Sequence, residues 1–291
     1  MRTAGISLLA AAFALAGCGS DPVMEPAPKS VSQAGAITFA TFARVLDDDQ
    51  HIAEGLNIDG RVSPDGDEPS CGMKDFTSPD GEPGIDNQFG GLLPVIESYV
   101  GTENIGALLA AAIANGQLLI LLSIDDVDDP KNDDDVTVRI AAGVGTPLLD
   151  TQGKYITYQT FGIDRKTAPV STLKGHIQDG VLLIEPGSAS LPVRVLDANF
   201  NLDLHGVIGH IELTPDAGGG LSMKGTLAGG IAVEDFKGII AKLNIKEDLI
   251  ATATGLIGIL ADLALDDETG KCTQVSAGLR IEATPAFILE D

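Results

Sequence analysis

The acidic stretch 58–91, IDGRVSPDGDEPSCGMKDFTSPDGEPGIDNQFGG, has the side chains for holding a hard cation. Calcium takes about six to eight oxygen ligands at roughly 2.3–2.6 Å, and carboxylates spaced by one residue with glycine between them suit it. Asp65-Gly66-Asp67 and Asp80-Gly81-Glu82 have that spacing, and Asp86 stands where a later ligand of a wrapped loop would stand. The expected ligands are Asp59, Asp65, Asp67, Asp80, Glu82, Asp86 and Asn87, and the expected ion is calcium. A strict EF-hand is absent, because Pro69 follows Asp67 closely and no glycine fills the sixth position. The plainer reading is a solvated acidic loop. Crowded carboxylates repel, however, by a little under ~1 kcal/mol per pair at ~5 Å even in water, and a divalent cation relieves this. A second cluster, 125–135 (DDVDDPKNDDD), gives Asp126, Asp128, Asp129 and Asp133 as a further possible cation site at a hairpin tip. Its competing role is to blunt edge pairing with solvated charge.

The three cysteines divide into one and two. Residues 1–17 have a basic start at Arg2 and a short apolar core from Ile6 to Ala16, which fits a signal peptide and is too short for a bilayer span. Leu15-Ala16-Gly17-Cys18 resembles the bacterial lipobox, which implies diacylation of Cys18, and Gly19 in place of Asp points to the outer membrane. Several acyl chains anchor stably where one does not. Residues 18–35 read as a Pro-, Ser- and Gly-rich tether. Cys71 and Cys272 then form an even pair in an exported chain, which predicts a disulfide.

Composition removes other classes. Asp and Glu number 42 against 18 Lys and Arg, a formal charge of −24, so a nucleic-acid partner is not expected. No Trp is present, which weakens a sugar-stacking site. No G-x-S-x-G, P-loop or dinucleotide fingerprint occurs. His205 and His210 are five apart and would point to opposite faces of one straight strand, a poor zinc pair. No catalytic residue is singled out, and the balance weighs against an enzyme.

The positioning elements read as follows. Residues 36–116 hold a strand and a short helix over 36–57, an assignment that periodicity does not settle, then the acidic loop, and a helix over 92–114 with Pro94 near its start and Asn115-Gly116 as its stop. Residues 117–291 form a β-rich body. Strands are expected at 117–124, 136–141, 154–161, 181–185, 191–196, 199–205, 207–213 and 221–228, helices at 233–243 and 247–265, and two strands over 272–289 with Pro285 at an edge. The predicted fold is mainly β, a sandwich or partly open barrel with two or three packed helices.

The run Cys71-Gly72-x-x-Asp75-Phe76-x-Ser78-Pro79-Asp80-Gly81-x-x-Gly84-Ile85-Asp86-Asn87-Gln88 resembles a segment of uncharacterised myxobacterial-type lipoproteins. Those carry a later Asp-Asp and Asn-Asp element, matched here by Asp128-Asp129 and Asn132-Asp133. The likeness spans about 80 residues and implies no activity. A looser likeness to thrombospondin type 3 repeats lacks their regular period. The expected function is an outer-membrane-anchored lipoprotein with a calcium-stabilised extracytoplasmic domain that binds or scaffolds in the envelope. Its partners would be the membrane, through the lipid, and an envelope protein or small hydrophobic ligand. An envelope hydrolase and a hydrophobic-ligand carrier are the alternatives.

Overall fold

Period-two burial builds most of this molecule. Along 171–178 the pattern is strict: Ser171, Leu173 and Ile177 are buried, while Thr172, Lys174 and Gln178 are exposed. Val136, Val138 and Ile140 are buried in the same rhythm. The computed structural model describes residues 31–100, 105–195, 198–242 and 247–290. The expected signal peptide, Cys18 and most of the expected tether lie outside the described residues.

The first strands are β1 (Val31–Phe42), β2 (Val45–Asp47), β3 (Ile52–Ala53), β4 (Phe76–Thr77) and β5 (Pro83–Ile85), followed by helices α1 (Gln88–Val100) and α2 (Ile105–Ala114). Next come β6 (Ile120–Val127), β7 (Asp133–Val144), β8 (Gln159–Ile163), β9 (Ser171–Gln178), β10 (Val181–Val195), β11 (Ala198–Pro215) and β12 (Leu221–Ala232). The chain ends with α3 (Val233–Lys242), α4 (Glu247–Ile259), β13 (Leu263–Asp266) and β14 (Lys271–Leu289).

Eight strands close on themselves in the order β1-β6-β7-β9-β10-β11-β12-β14, and β14 pairs back with β1. Every neighbouring pair in this ring is antiparallel. Closure satisfies the backbone groups that a sheet edge would leave open. The ring is complete only along part of its height. β9 pairs with β10 only as far as Ile184, and β1 leaves β6 at Ala36, so β1 and β10 run on beyond their neighbours. Helix α2 packs against both of them there. The mainly-β class holds, with four helices rather than two or three among the described residues.

The barrel interior is hydrocarbon. Leu122, Ile124, Val138, Ile140, Leu173, Leu182, Ile211, Met223, Leu227 and Ile231 are each 3% exposed or less and belong to one continuous core. Burying each such side chain contributes about 1.5–3 kcal/mol. Leu122→Ala should therefore lower unfolding free energy by about 2–5 kcal/mol, read by urea titration. A change below about 1 kcal/mol would show that this interior is not close-packed. Gly225 explains one tight spot: a Cβ there would lie 2.0 Å from the His210 carbonyl oxygen across the β11–β12 ladder.

Several expectations change in detail. The helix expected over 92–114 is two helices, and Pro94 lies inside α1. No helix forms over 45–53, which is the β2–β3 pair. The strands expected at 181–185 and 191–196 are one, β10, with irregular register between Ile184 and Ser188, and 199–213 likewise lies in one strand, β11. A bulge between His205 and Ile208 shifts the alternation by one, so His205 and His210 both sit beside inward-facing neighbours and share the outer face. The helix expected to reach 265 stops at Ile259, and 263–266 is β13. The last stretch is one strand, interior to the ring up to its pairing with Gly35; past Pro285 it leaves β1 and pairs in parallel with β8. Residues 117–124 read as a continuous apolar run because both faces of β6 are buried, Leu121 outward as well as Leu122 inward. Among the described residues no helix is long and apolar enough to cross a membrane.

Candidate functional site

The acidic stretch folds as a lobe against β14. Strands β2, β3, β4 and β5 form a small sheet whose own buried core is only Ala53, Phe76 and Ile85. Two attachments to the barrel stand out. The Ala43 N–H donates to the Gly278 carbonyl at 2.9 Å. Cys71 and Cys272 form the expected disulfide, joining residues 201 apart.

The predicted ligands divide. Asp65, Asp80 and Glu82 are exposed, the last two on the β4–β5 turn. Asp59 and Asp67 flank Arg61, whose guanidinium lies 4.0 Å from the first and 3.0 Å from the second. Arg61 thus supplies positive charge where a cation was expected. The Asn57 side chain clips this turn, donating to the Arg61 carbonyl at 2.7 Å and accepting the Arg61 N–H at 3.0 Å. Gly84 permits the close packing: its φ is +85°, and a Cβ would lie 2.5 Å from that same Arg61 oxygen.

Asp86 and Asn87 are buried for structural reasons. Asn87 is the N-cap of α1, its Oδ1 accepting from the Gly90 N–H at 3.1 Å and its Nδ2 donating to the Glu54 carbonyl at 2.7 Å. One oxygen of Asp86 accepts from the Ile58 and Asp59 N–H groups at 2.6 and 3.3 Å. Burial, with Asp59 and Asp262 nearby, pushes its carboxyl up to about 8. Asp75, which accepts from the Ser63 N–H, is raised too, again chiefly by burial.

The sequence reading missed the partner of this group. Asp262 is 4% exposed, and burial pushes it up to about 7. It accepts from both the N–H and the hydroxyl of Ser276 at 2.8 and 2.6 Å, and the Ser276 Oγ accepts from the Gln88 N–H at 2.8 Å. The signal was a lone Asp inside the apolar run LADLAL, obscured by extending the helix through it. Among the described residues no three carboxylate, His or Cys side chains converge as metal ligands.

The hairpin tip behaves as solvated turn chemistry. Asp133 accepts from the N–H groups of Asp128 and Asp129 at 2.7 and 3.4 Å and of Asp135 at 3.3 Å. Asp126, Asp128 and Asp129 are exposed. Lys174 of β9 pairs with Asp135 at 2.8 Å.

A third feature was not anticipated. A groove of about 410 Å³ lies on the outside of the barrel, lined by Ser32, Gln33 and Ala34 of β1, Arg139 of β7, Tyr158, and Phe287 of β14. Arg139 is held between Asp125, at 2.5 Å, and Glu290. Tyr158 donates to Asp216, accepts from the Gly220 N–H at 3.1 Å, and lies 5.8 Å ring to ring from Phe287.

No protein family, curated protein or solved structure matches this chain. The reading of its role therefore rests on its own residues.

Proposed function

We propose that this chain is a lipid-anchored domain of the bacterial cell envelope, held at the outer membrane through Cys18, that binds or scaffolds partners on its outer surface. The observation that carries the reading is the Cys71–Cys272 disulfide in a chain whose third cysteine closes a lipobox-like run. Structural disulfides belong to oxidising compartments, so the pair supports export. The packed interior favours surface binding over carriage of a hydrophobic ligand, because side chains occupy the space a ligand would need. Arg61 and backbone N–H groups meet part of the charge of the acidic lobe, so the reading stands with calcium or without it.

Growth with a palmitate analogue that can be tagged chemically tests the anchor. The chain is expected to take up label and to sediment with membranes, and Cys18→Ala to abolish both. Unlabelled wild-type chain in the soluble fraction would overturn the proposal.

A further inference from the structure

Five large apolar side chains stand in water on one region of the barrel's outer wall. Phe287 and Leu289 are each 56% exposed, Val144 54%, Leu148 62% and Ile156 47%. The ladder makes Val144, Phe287 and Leu289 neighbours. Gly162 of β8 pairs with both Val144 of β7 and Leu289 of β14, so these two flank a glycine on one face, and Phe287 shares that face two residues back. The Ile156 N–H donates to the Leu148 carbonyl at 3.0 Å, and the Gln159 amide, on the same strand system, bonds both of their carbonyls at 2.7 and 2.9 Å. Large apolar side chains left in water in this way mark an interaction surface.

Charge says which kind. In a chain of −24 this region is near neutral: residues 144–166 hold Lys154, Arg165 and Lys166 against Asp150 and Asp164, and Glu290, next to Leu289, pairs with Arg165 at 3.9 Å. All three bases are exposed. This is a region that a lipid surface can approach without the repulsion met elsewhere. The position of the chain end says where that surface comes from. Ser32, Gln33 and Ala34 at the start of β1 line the same groove as Phe287. Twelve residues separate Cys18 from Val31, thirteen steps of chain with a reach of at most about 45 Å. Such a tether keeps the patch at high effective concentration near any bilayer that holds Cys18.

We infer that the patch of Val144, Leu148, Ile156, Phe287 and Leu289 docks onto a zwitterionic bilayer surface, fixing how the domain stands on its own membrane. The inference rests on the anchoring proposed above. The apolar side chains enter the headgroup boundary, while Lys154, Arg165 and Lys166 remain at its polar level. The acidic lobe, joined near the other end of β14 through Cys272, is left to face a partner.

The chain has no Trp, so a single introduced indole reports its own surroundings. The mature chain from Cys18 is coupled through that thiol to maleimide-bearing lipid in phosphatidylcholine vesicles; Cys71 and Cys272, being paired, do not react. Coupling supplies the anchor whether or not cells acylate Cys18, so failure of the patch and failure of the anchor are separable. In the Phe287→Trp chain, emission is expected to shift to the blue on coupling and to be quenched by brominated phosphatidylcholine. In the Val62→Trp chain, whose probe sits at a 51% exposed position of the acidic lobe, neither should occur. Adding Leu289→Glu to Phe287→Trp should cut the docked fraction about tenfold. An indole at 287 as water-exposed as the one at 62 overturns the inference. So does a blue shift without vesicles that grows with protein concentration, which would assign the patch to a second copy of the chain.

Discussion

Replacing Cys71 and Cys272 together by Ser is expected to lower the unfolding free energy by up to about 5 kcal/mol. The bond closes a loop of 201 residues, and constraining so long a segment of the unfolded chain has a large entropic effect. The local argument points the same way. The acidic lobe buries only Ala53, Phe76 and Ile85 in its own core, too little apolar surface to order some forty residues alone. Its other ties to the barrel include three polar ones: the Ala43–Gly278 bond, the Gln88–Ser276 bond, and Arg280 to Glu54 at 2.6 Å. Losing the bond should therefore open the lobe before the barrel. Hydrogen exchange should quicken first over 58–85, while β9 to β12 stay protected. Urea titration of the double Ser variant measures the total. An unchanged midpoint, or exchange that rises evenly over barrel and lobe, would show that the lobe does not depend on this bond.

How much of this was legible depends on whether the signal was local. Val136, Val138 and Ile140 announce a half-buried strand through alternation, and the structure puts one there. The disulfide follows from counting cysteines in a chain expected to be exported. What alternation cannot carry is the closure of the sheet. Pairing of β1 with β14 joins residues about 240 apart, and no local pattern encodes it. Bulges defeat parity: one extra residue between His205 and Ile208 brings two histidines to one face. The acidic ligands were judged by type and spacing, which say that carboxylates are close in sequence but not where they point. Asn87 reads as an oxygen donor in either case; only the register of α1 shows that its oxygen is taken by a cap. Asp262 lies 176 residues beyond Asp86, so its field on Asp86 emerges only from the fold.

That field gives the second large effect, with its sign fixed by which state holds the proton. Burial first, then Asp59 and Asp262, push Asp86 from 3.8 up to about 8, and Asp262 is raised to about 7. Between pH 4 and these values the folded chain binds protons that the unfolded chain has lost. Stability is then fully present below the unfolded value near 3.8 and declines as pH rises, by about 1.4 kcal/mol per unit for each group, until the folded value is passed. Asp67, Asp150, Asp216 and Asp266 are lowered by hydrogen bonds to their carboxylates and act below that window. Urea titrations from pH 5 to 8 in chelator should therefore show stability falling with pH. Asp86→Asn imitates the protonated carboxyl and keeps an oxygen for the Ile58 and Asp59 N–H groups. It should stabilise the chain at pH 8 by up to about 5 kcal/mol and make the slope shallower. Calcium bound at Asp86 predicts the reverse: the ion would favour the charged carboxylate, stability would rise with calcium at pH 8, and Asp86→Asn would remove that rise. The two outcomes differ in sign at one pH, so a single pair of titrations at pH 8, with chelator and with calcium, decides whether a proton or a metal ion settles the buried charge.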